Sequence, residues 1–317
     1  MSHLFLIIIS FLILDLQIVN KIVLESAGPQ IGIRSFQFCN NHIYTLDQYQ
    51  ELISKYDMDG SLITYKKAKG RGPGEFQNNP NTIICLLNGN ILITETNRFH
   101  YFDKDLNFLE TKLFEPTKYS QVWGIITIIK EYEESYLGTF SISSNRENSQ
   151  YVLINKDNLS IEKAFGFKPT TTNNLLERSG SLYHDGKILT FFTLTGQIII
   201  YDIASENYLL FNVQDDVSIE ELAQNLPDRA VPGDNRFIEF LEKGRIIHNY
   251  GIINDHFFIV RDRFSENPLV KIDFYTFDGK LVTSHKNTNG YSPLFVINSQ
   301  IYTRNLEDLV IYELIFK

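Results

Sequence analysis

Apolar and polar positions along the chain recur as one repeated unit. An apolar stretch is followed by a short polar turn, a second apolar stretch and a variable loop. An aromatic or apolar residue followed by Asp, Asn or Glu then leads into another turn. The unit runs through 40–65 ("NNHIYTLDQYQELISKYDMDGSLITY"), 87–111, 133–163, 184–211, 254–284 and 297–316. Its marker pairs are Tyr56-Asp57, Phe102-Asp103, Ile154-Asn155, Tyr201-Asp202, Phe277-Asp278 and Tyr312-Glu313. Asp and Asn suit such a turn because their side chains bond nearby backbone amides, and Gly60 and Gly279 supply the left-handed backbone. Short stretches of alternating polarity between turns read as strands joined by hairpins, and nothing alternates strand with helix.

Units of about 45 residues match a four-stranded propeller blade. The expected fold is therefore all-β, a six-bladed β-propeller. The last unit stops at Lys317 one strand short, and "KIVLES" (21–26) is a spare strand at the other end. Pairing the two would close the ring and remove exposed edges. One segment, 215–245, breaks the period. Ser218 with Glu221 forms a capping-box signature there, and Ile219, Leu222, Ala223 and Leu226 follow helical spacing, which predicts a short helical insertion.

Composition supports strands. Of 317 residues 43% are hydrophobic, and the 24 Phe and 17 Tyr fit half-buried pleated surfaces. A formal charge of −9 gives no electrostatic footprint for nucleic acid. Cys39 and Cys85 lie in apolar runs, "FQFC" and "TIICLL", and read as small buried hydrophobes, with a single bridge between them as the alternative; two thiols make no disulfide framework. "LFLIIISFLIL" (4–14) is too short to span a bilayer as a helix but long enough for the core of an export signal. The expected division is a signal peptide over 1–20 and a propeller over 21–317. This places the protein in the periplasm or cell envelope, with a cytoplasmic location as the alternative should 4–14 be a buried strand.

The stretch "KGRGPGEFQNNP" (69–80) decides between a phosphate loop and a turn. A phosphate loop needs Lys-Ser or Lys-Thr after its last glycine, opening a helix. Here Gly74 is followed by Glu75, Phe76 and Asn79-Pro80, which forbids helix at that point. The stretch is expected to be an inter-blade turn, with Lys66, Lys67, Lys69 and Arg71 guarding an outer edge strand.

Residues 70–110 resemble an NHL-type repeat: a Gly-rich entry, Phe76, Pro80, an inner strand, Gly89, a second strand, Glu95, Arg98, then Phe102-Asp103. The chain more widely resembles the TolB-like six-bladed propellers of Bacteroidetes and related bacteria. That resemblance implies a fold and an envelope location, without an established activity.

The sequence carries no Gly-x-Ser-x-Gly elbow and no zinc-spaced Cys/His set. His248 and His256 sit in no metal motif, and "EYEES" (131–135) lacks the interleaving of a calcium loop. No catalytic residue, metal or cofactor is assigned. The candidate ligand-binding residues are Arg71, Glu75, Asn81, Trp123 and Asn249, of which Trp123 also suits an inter-blade anchor. These features predict a monomeric binding or scaffold propeller taking a protein, peptide or glycan on one face of the disc. The alternative is a metal-dependent hydrolase or lyase with its site in the central channel.

Overall fold

The protein is described by a computed structural model over residues 16–25, 33–95, 97–114, 124–143, 149–167, 179–213, 246–262, 270–287, 294–297, 300–305 and 310–316. Strand β1 (Leu16–Val23) stands apart from those that follow it. β2 (Ile33–Cys39), β3 (His42–Asp47), β4 (Leu52–Tyr56) and β5 (Leu62–Lys67) form the first blade. The second is β6 (Thr82–Cys85), β7 (Ile91–Thr94), β8 (Arg98–Phe102) and β9 (Phe108–Leu113). The third is β10 (Gly124–Tyr132), β11 (Ser135–Ser143), β12 (Tyr151–Asn155) and β13 (Ile161–Phe165). The fourth is β14 (Ser179–His184), β15 (Lys187–Phe192), β16 (Gln197–Asp202) and β17 (Tyr208–Asn212). The fifth is β18 (Ile246–Ile253), β19 (His256–Asp262), β20 (Val270–Thr276) and β21 (Leu281–Asn287). Finally β22 (Leu294–Ile297), β23 (Gln300–Asn305) and β24 (Val310–Phe316) join β1 in a sheet of order β1-β24-β23-β22.

The fold is an all-β propeller, but the expectation of six repeat-built blades with a helical insertion is corrected on two counts. Five blades, not six, are made of four consecutive strands. The remaining sheet is a composite of both chain ends, because the last unit supplies only three strands. Lys21, Ile22 and Val23 pair with Tyr312, Ile311 and Val310, and the pairing runs back to Leu16 opposite Phe316. No helix occurs among the described residues, and the segment 215–245 lies outside them.

The first strands of adjacent blades approach one another, β2 to β6, β6 to β10, β10 to β14 and β14 to β18, which makes them the inner ring. The second and third strands lie between neighbouring sheets, so both their faces are buried, with polar residues such as Thr45, Ser54, Lys55, His100 and Asp273 among them. β4 is buried throughout, whereas the outer strand β5 alternates. The apolar clusters sit in the seams between sheets. Tyr44, Leu46 and Ile53 meet Ile91, Ile93 and Phe102 between blades one and two. Ile22 and Leu24 meet Ile43 and Tyr56 where the composite sheet meets blade one.

The marker residues build the turn between third and fourth strands. Oδ1 of Asp57 accepts the amides of Asp59 and Ser61, and Oδ1 of Asp103 those of Asp105 and Asn107. Asn155 and Asp202 do the same with Asp157 and Ser205. Each turn is then held by the preceding blade. Lys55 reaches Asp105 at 2.7 Å, Lys112 donates to the carbonyl of Lys156 at 3.0 Å, and Lys163 reaches Glu206 at 2.7 Å. Lys187 lies over the Phe277 ring at 5.6 Å.

Blade one receives the equivalent contact from the N-terminal strand. The amide of Glu25 donates to the carbonyl of Gly60 at 3.0 Å, and the amide of Leu62 donates to Oε2 of Glu25 at 2.9 Å. Gly60 has φ +92°, and a Cβ there would stand 2.3 Å from the carbonyl oxygen of Val23. Gly186 has a comparable φ of +76° but open space around it. Gly60→Val should therefore lower unfolding free energy by about 2–4 kcal/mol, and Gly186→Val by about 1–2 kcal/mol from backbone strain alone. Urea denaturation of the two variants measures the difference, which isolates the contact with β1.

Candidate functional site

Within a blade, the turn between second and third strands lies on the same disc face as the connection leaving the fourth. In blade one these are residues 48–51 and 68–81, and hydrogen bonds join them. The amide of Ala68 donates to the carbonyl of Glu51 at 2.8 Å. The connection then closes on itself. The amide of Gly70 donates to the carbonyl of Phe76 at 3.1 Å, the amide of Phe76 donates to the carbonyl of Ala68, and Lys69 and Phe76 form a parallel bridge. Oε2 of Glu75 accepts the Gly72 amide at 2.6 Å, so this carboxylate braces its own loop.

Phe76 is the bolt of the connection. It is fully buried in the seam between blades one and two, edge-on to His100 with ring centroids 5.1 Å apart. Gly74, with φ +72°, lies flat on the Phe108 ring, where a Cβ would come within 2.6 Å. Gly72 has no positive φ, and a Cβ there would meet only the flexible Glu75 carboxylate at 3.0 Å. Gly74→Val should cost on the order of 3 kcal/mol and Gly72→Ala under about 1 kcal/mol in thermal or urea unfolding.

Behind Phe76 the seam holds polar groups that the sequence reading assigned to no site. Glu95 and His100 are fully buried, with Oε1 of Glu95 3.3 Å from Nε2 of His100. The same Oε1 accepts the Gln77 amide at 2.7 Å, and Thr111 Oγ1 lies 2.9 Å from Nδ1 of His100. Glu51 enters from blade one, with exposed Lys69 4.0 Å away. Burial raises the Glu51 pKa; Lys69 opposes that shift and Glu95 adds to it. Oε2 of Glu51 and Oε2 of Glu95 have no hydrogen-bond partner among the described residues.

A carboxyl whose pKa is raised on folding keeps its proton longer in the native state. The stability it contributes is full below its ordinary value of 4.5 and declines as pH rises from there through the folded pKa. Glu51→Gln should flatten that decline and raise the melting temperature at pH 7 relative to pH 4. Melting curves across that range check the sign.

At the opposite end of this seam Cys39 and Cys85 form a disulfide, with Cα atoms 5.6 Å apart. The reading of two free buried thiols is corrected: the residues close equivalent inner strands, β2 and β6, of adjacent blades. Their spacing of 46 residues equals that between the markers Asp57 and Asp103, a signal present in the sequence.

Of the predicted ligand-binding residues, Arg71, Glu75 and Asn81 share the one connection. Arg71 is exposed and Glu75 is turned onto the Gly72 amide. Asn81 directly precedes β6, its amide bonded to the carbonyl of Thr94 at 2.7 Å and its Nδ2 buried. Asn249 lies apart from them in β18 of blade five, with Oδ1 accepting the Tyr250 amide at 2.8 Å. Trp123 lies outside the described residues. Sequence reasoning missed Tyr49, 67% exposed in the β3–β4 turn that Ala68 joins to the connection through the Glu51 carbonyl. Among the described residues no group of three or more His, Cys, Asp or Glu is placed to hold a metal ion. No described helix is long and apolar enough to cross a membrane.

No family model and no curated protein matches the chain. Solved structures do share its fold. A member of the duf4221 family from Bacteroides vulgatus has a TM-score of 0.67 at 11% identity, covering 96% of this chain and 98% of its own. A Bacteroides fragilis protein named for expected export has a TM-score of 0.65 at 11% identity, with 95% of both chains covered. Virginiamycin B lyase from Staphylococcus aureus reaches 0.50 at 13% identity, over 95% of this chain and 99% of its own. At these identities the likeness is one of fold.

Proposed function

We propose that the chain is a non-catalytic binding propeller of the bacterial cell envelope, recognising an acidic protein, peptide or glycan on one face of the disc. The observation that carries this reading is the surface around the first connection. Lys69 and Arg71 stand exposed on the connection that Phe76, Gly74 and Glu75 brace, and Tyr49 stands exposed on the same disc face in the β3–β4 turn that Asp47 shapes. Tyrosine and arginine on a preformed loop are the side chains from which interface hot spots are commonly built. The chain's overall charge is −9, so Lys69 and Arg71 form a local basic point on an acidic molecule. That favours a partner carrying carboxylates or phosphates.

Export is supported by the Cys39–Cys85 disulfide, since such bridges persist in oxidising compartments. The fold neighbour named for export supports it as well. On this reading residues 4–14 are the core of the export signal, and β1, which starts at Leu16, belongs to the mature protein. Kinship with NHL-type and TolB-like propellers, carried by residues 70–110, is part of the same proposal.

The test is binding of the purified protein to envelope proteins and to arrayed acidic glycans. Tyr49→Ala with Arg71→Ala should weaken binding at least tenfold while leaving the melting temperature within about 2 °C, as expected for exposed side chains. Unchanged binding by a folded double variant would move the site elsewhere. Turnover of any ester or glycan substrate would favour an enzyme.

A further inference from the structure

The outer strands of the described sheets, the five blades and the composite one, are not alike. β1 carries Lys21, β5 Lys66 and Lys67, β9 Lys112, β13 Lys163 and β21 Lys286. Lysines on an edge strand keep other strands from pairing with it, because their charge would have to be desolvated or set against its own kind. β17, "YLLFN", has no charged residue at all. Its first three residues are apolar and exposed: Tyr208 49%, Leu209 39% and Leu210 39%.

This unguarded edge is also rigid. Tyr208 stacks on Phe167 at 4.8 Å, and Phe211 packs between Phe257 and Tyr275 at 6.2 and 5.9 Å. β17 pairs with β16 from Tyr208 to Asn212, and among the described residues no strand pairs with its other side. Glu206, two residues before the strand, is paired with Lys163 at 2.7 Å. On a molecule of net charge −9 this edge is a place where a second copy approaches without like charges meeting.

The geometry points to β17 as a dimerisation edge that takes β17 of a second copy of this chain. The two strands run antiparallel about a two-fold axis at Leu210. That register sets Leu210 against its own copy, Leu209 opposite Phe211, and Tyr208 opposite Asn212. No charged pair arises, and the arrangement is self-complementary, as a two-fold interface requires. The two fourth blades then form one continuous sheet across the dimer. The disc face bearing Tyr49 and Arg71 lies in blade one, outside this contact, and a dimer would present that face twice. On this proposal the chain self-associates, where the sequence reading expects a monomer.

Sedimentation velocity of the full chain over a concentration series, about 1 to 200 μM, tests it. The wild-type protein should shift from monomer to dimer across the series. Leu210→Lys should remain monomeric with an unchanged melting temperature, whereas Ile63→Lys on the already guarded β5 should dimerise like wild type. Should Leu210→Lys fail to fold, Asn212→Lys at the exposed end of the strand is expected to give the same loss. A wild-type protein that stays monomeric throughout overturns the inference, and so does a dimer that survives a lysine in β17.

Discussion

Every described blade depends on one recurring contact, the turn between its third and fourth strands held by the blade before it. In blades two to four an Asp or Asn side chain shapes the turn by accepting its amides. In blades two to five a lysine of the preceding blade pins the turn through a carboxylate, a backbone carbonyl or an aromatic ring that the turn presents. Such contacts are individually modest, because a surface-facing ion pair contributes little once solvent screens it. Their effect lies in repetition around a ring, where each seam buries an apolar cluster that neither sheet could bury alone. Blade one has no preceding repeat in sequence to hold its turn. β1 supplies the contact by pairing with β24 and setting Val23 and Glu25 against Gly60 and Leu62.

The seam between blades one and two concentrates further constraints. A disulfide joins the inner strands at one end, and the 68–81 connection closes the other with Phe76 as its plug. Between the plug and the sheets lie Glu51, Glu95 and His100, an arrangement that apolar packing alone would not select. A rigid seam of this kind lets the outer loop residues, Tyr49 and Arg71, be held in place without further support. Binding loops on rigid scaffolds work on this principle.

Much of the architecture was legible because the marker residues act locally. Asp57, Asp103, Asn155 and Asp202 shape turns through bonds to their own next few amides, so the repeat leaves a trace in sequence. The glycines of the first connection were legible for the same reason. The count of contiguous blades was not, because the last unit draws its outer strand from the far end of the chain. The disulfide stood only as an alternative since each cysteine looks like an ordinary core residue in its own strand, and only the shared spacing of the repeat brings them together. Glu95 entered only as the acidic position of the repeat resemblance and His100 was not singled out, because a polar residue at a strand end or within a short strand reads as solvent-facing. A different segment covers them, Phe76 packing edge-on against His100 and the Gln77 amide bonding Glu95.

The central claim is that β1 is a structural member of the ring, as firmly held as the strands inside the blades. Hydrogen exchange of the native protein tests it most directly, since amides that open only with global unfolding share one slow rate. The prediction is that the amides of β1 and β24 exchange with the protection of β3 and β8. Rapid exchange in 16–23 while β3 and β8 stay protected would show that the ring does not rely on its N-terminal strand, and would contradict the account.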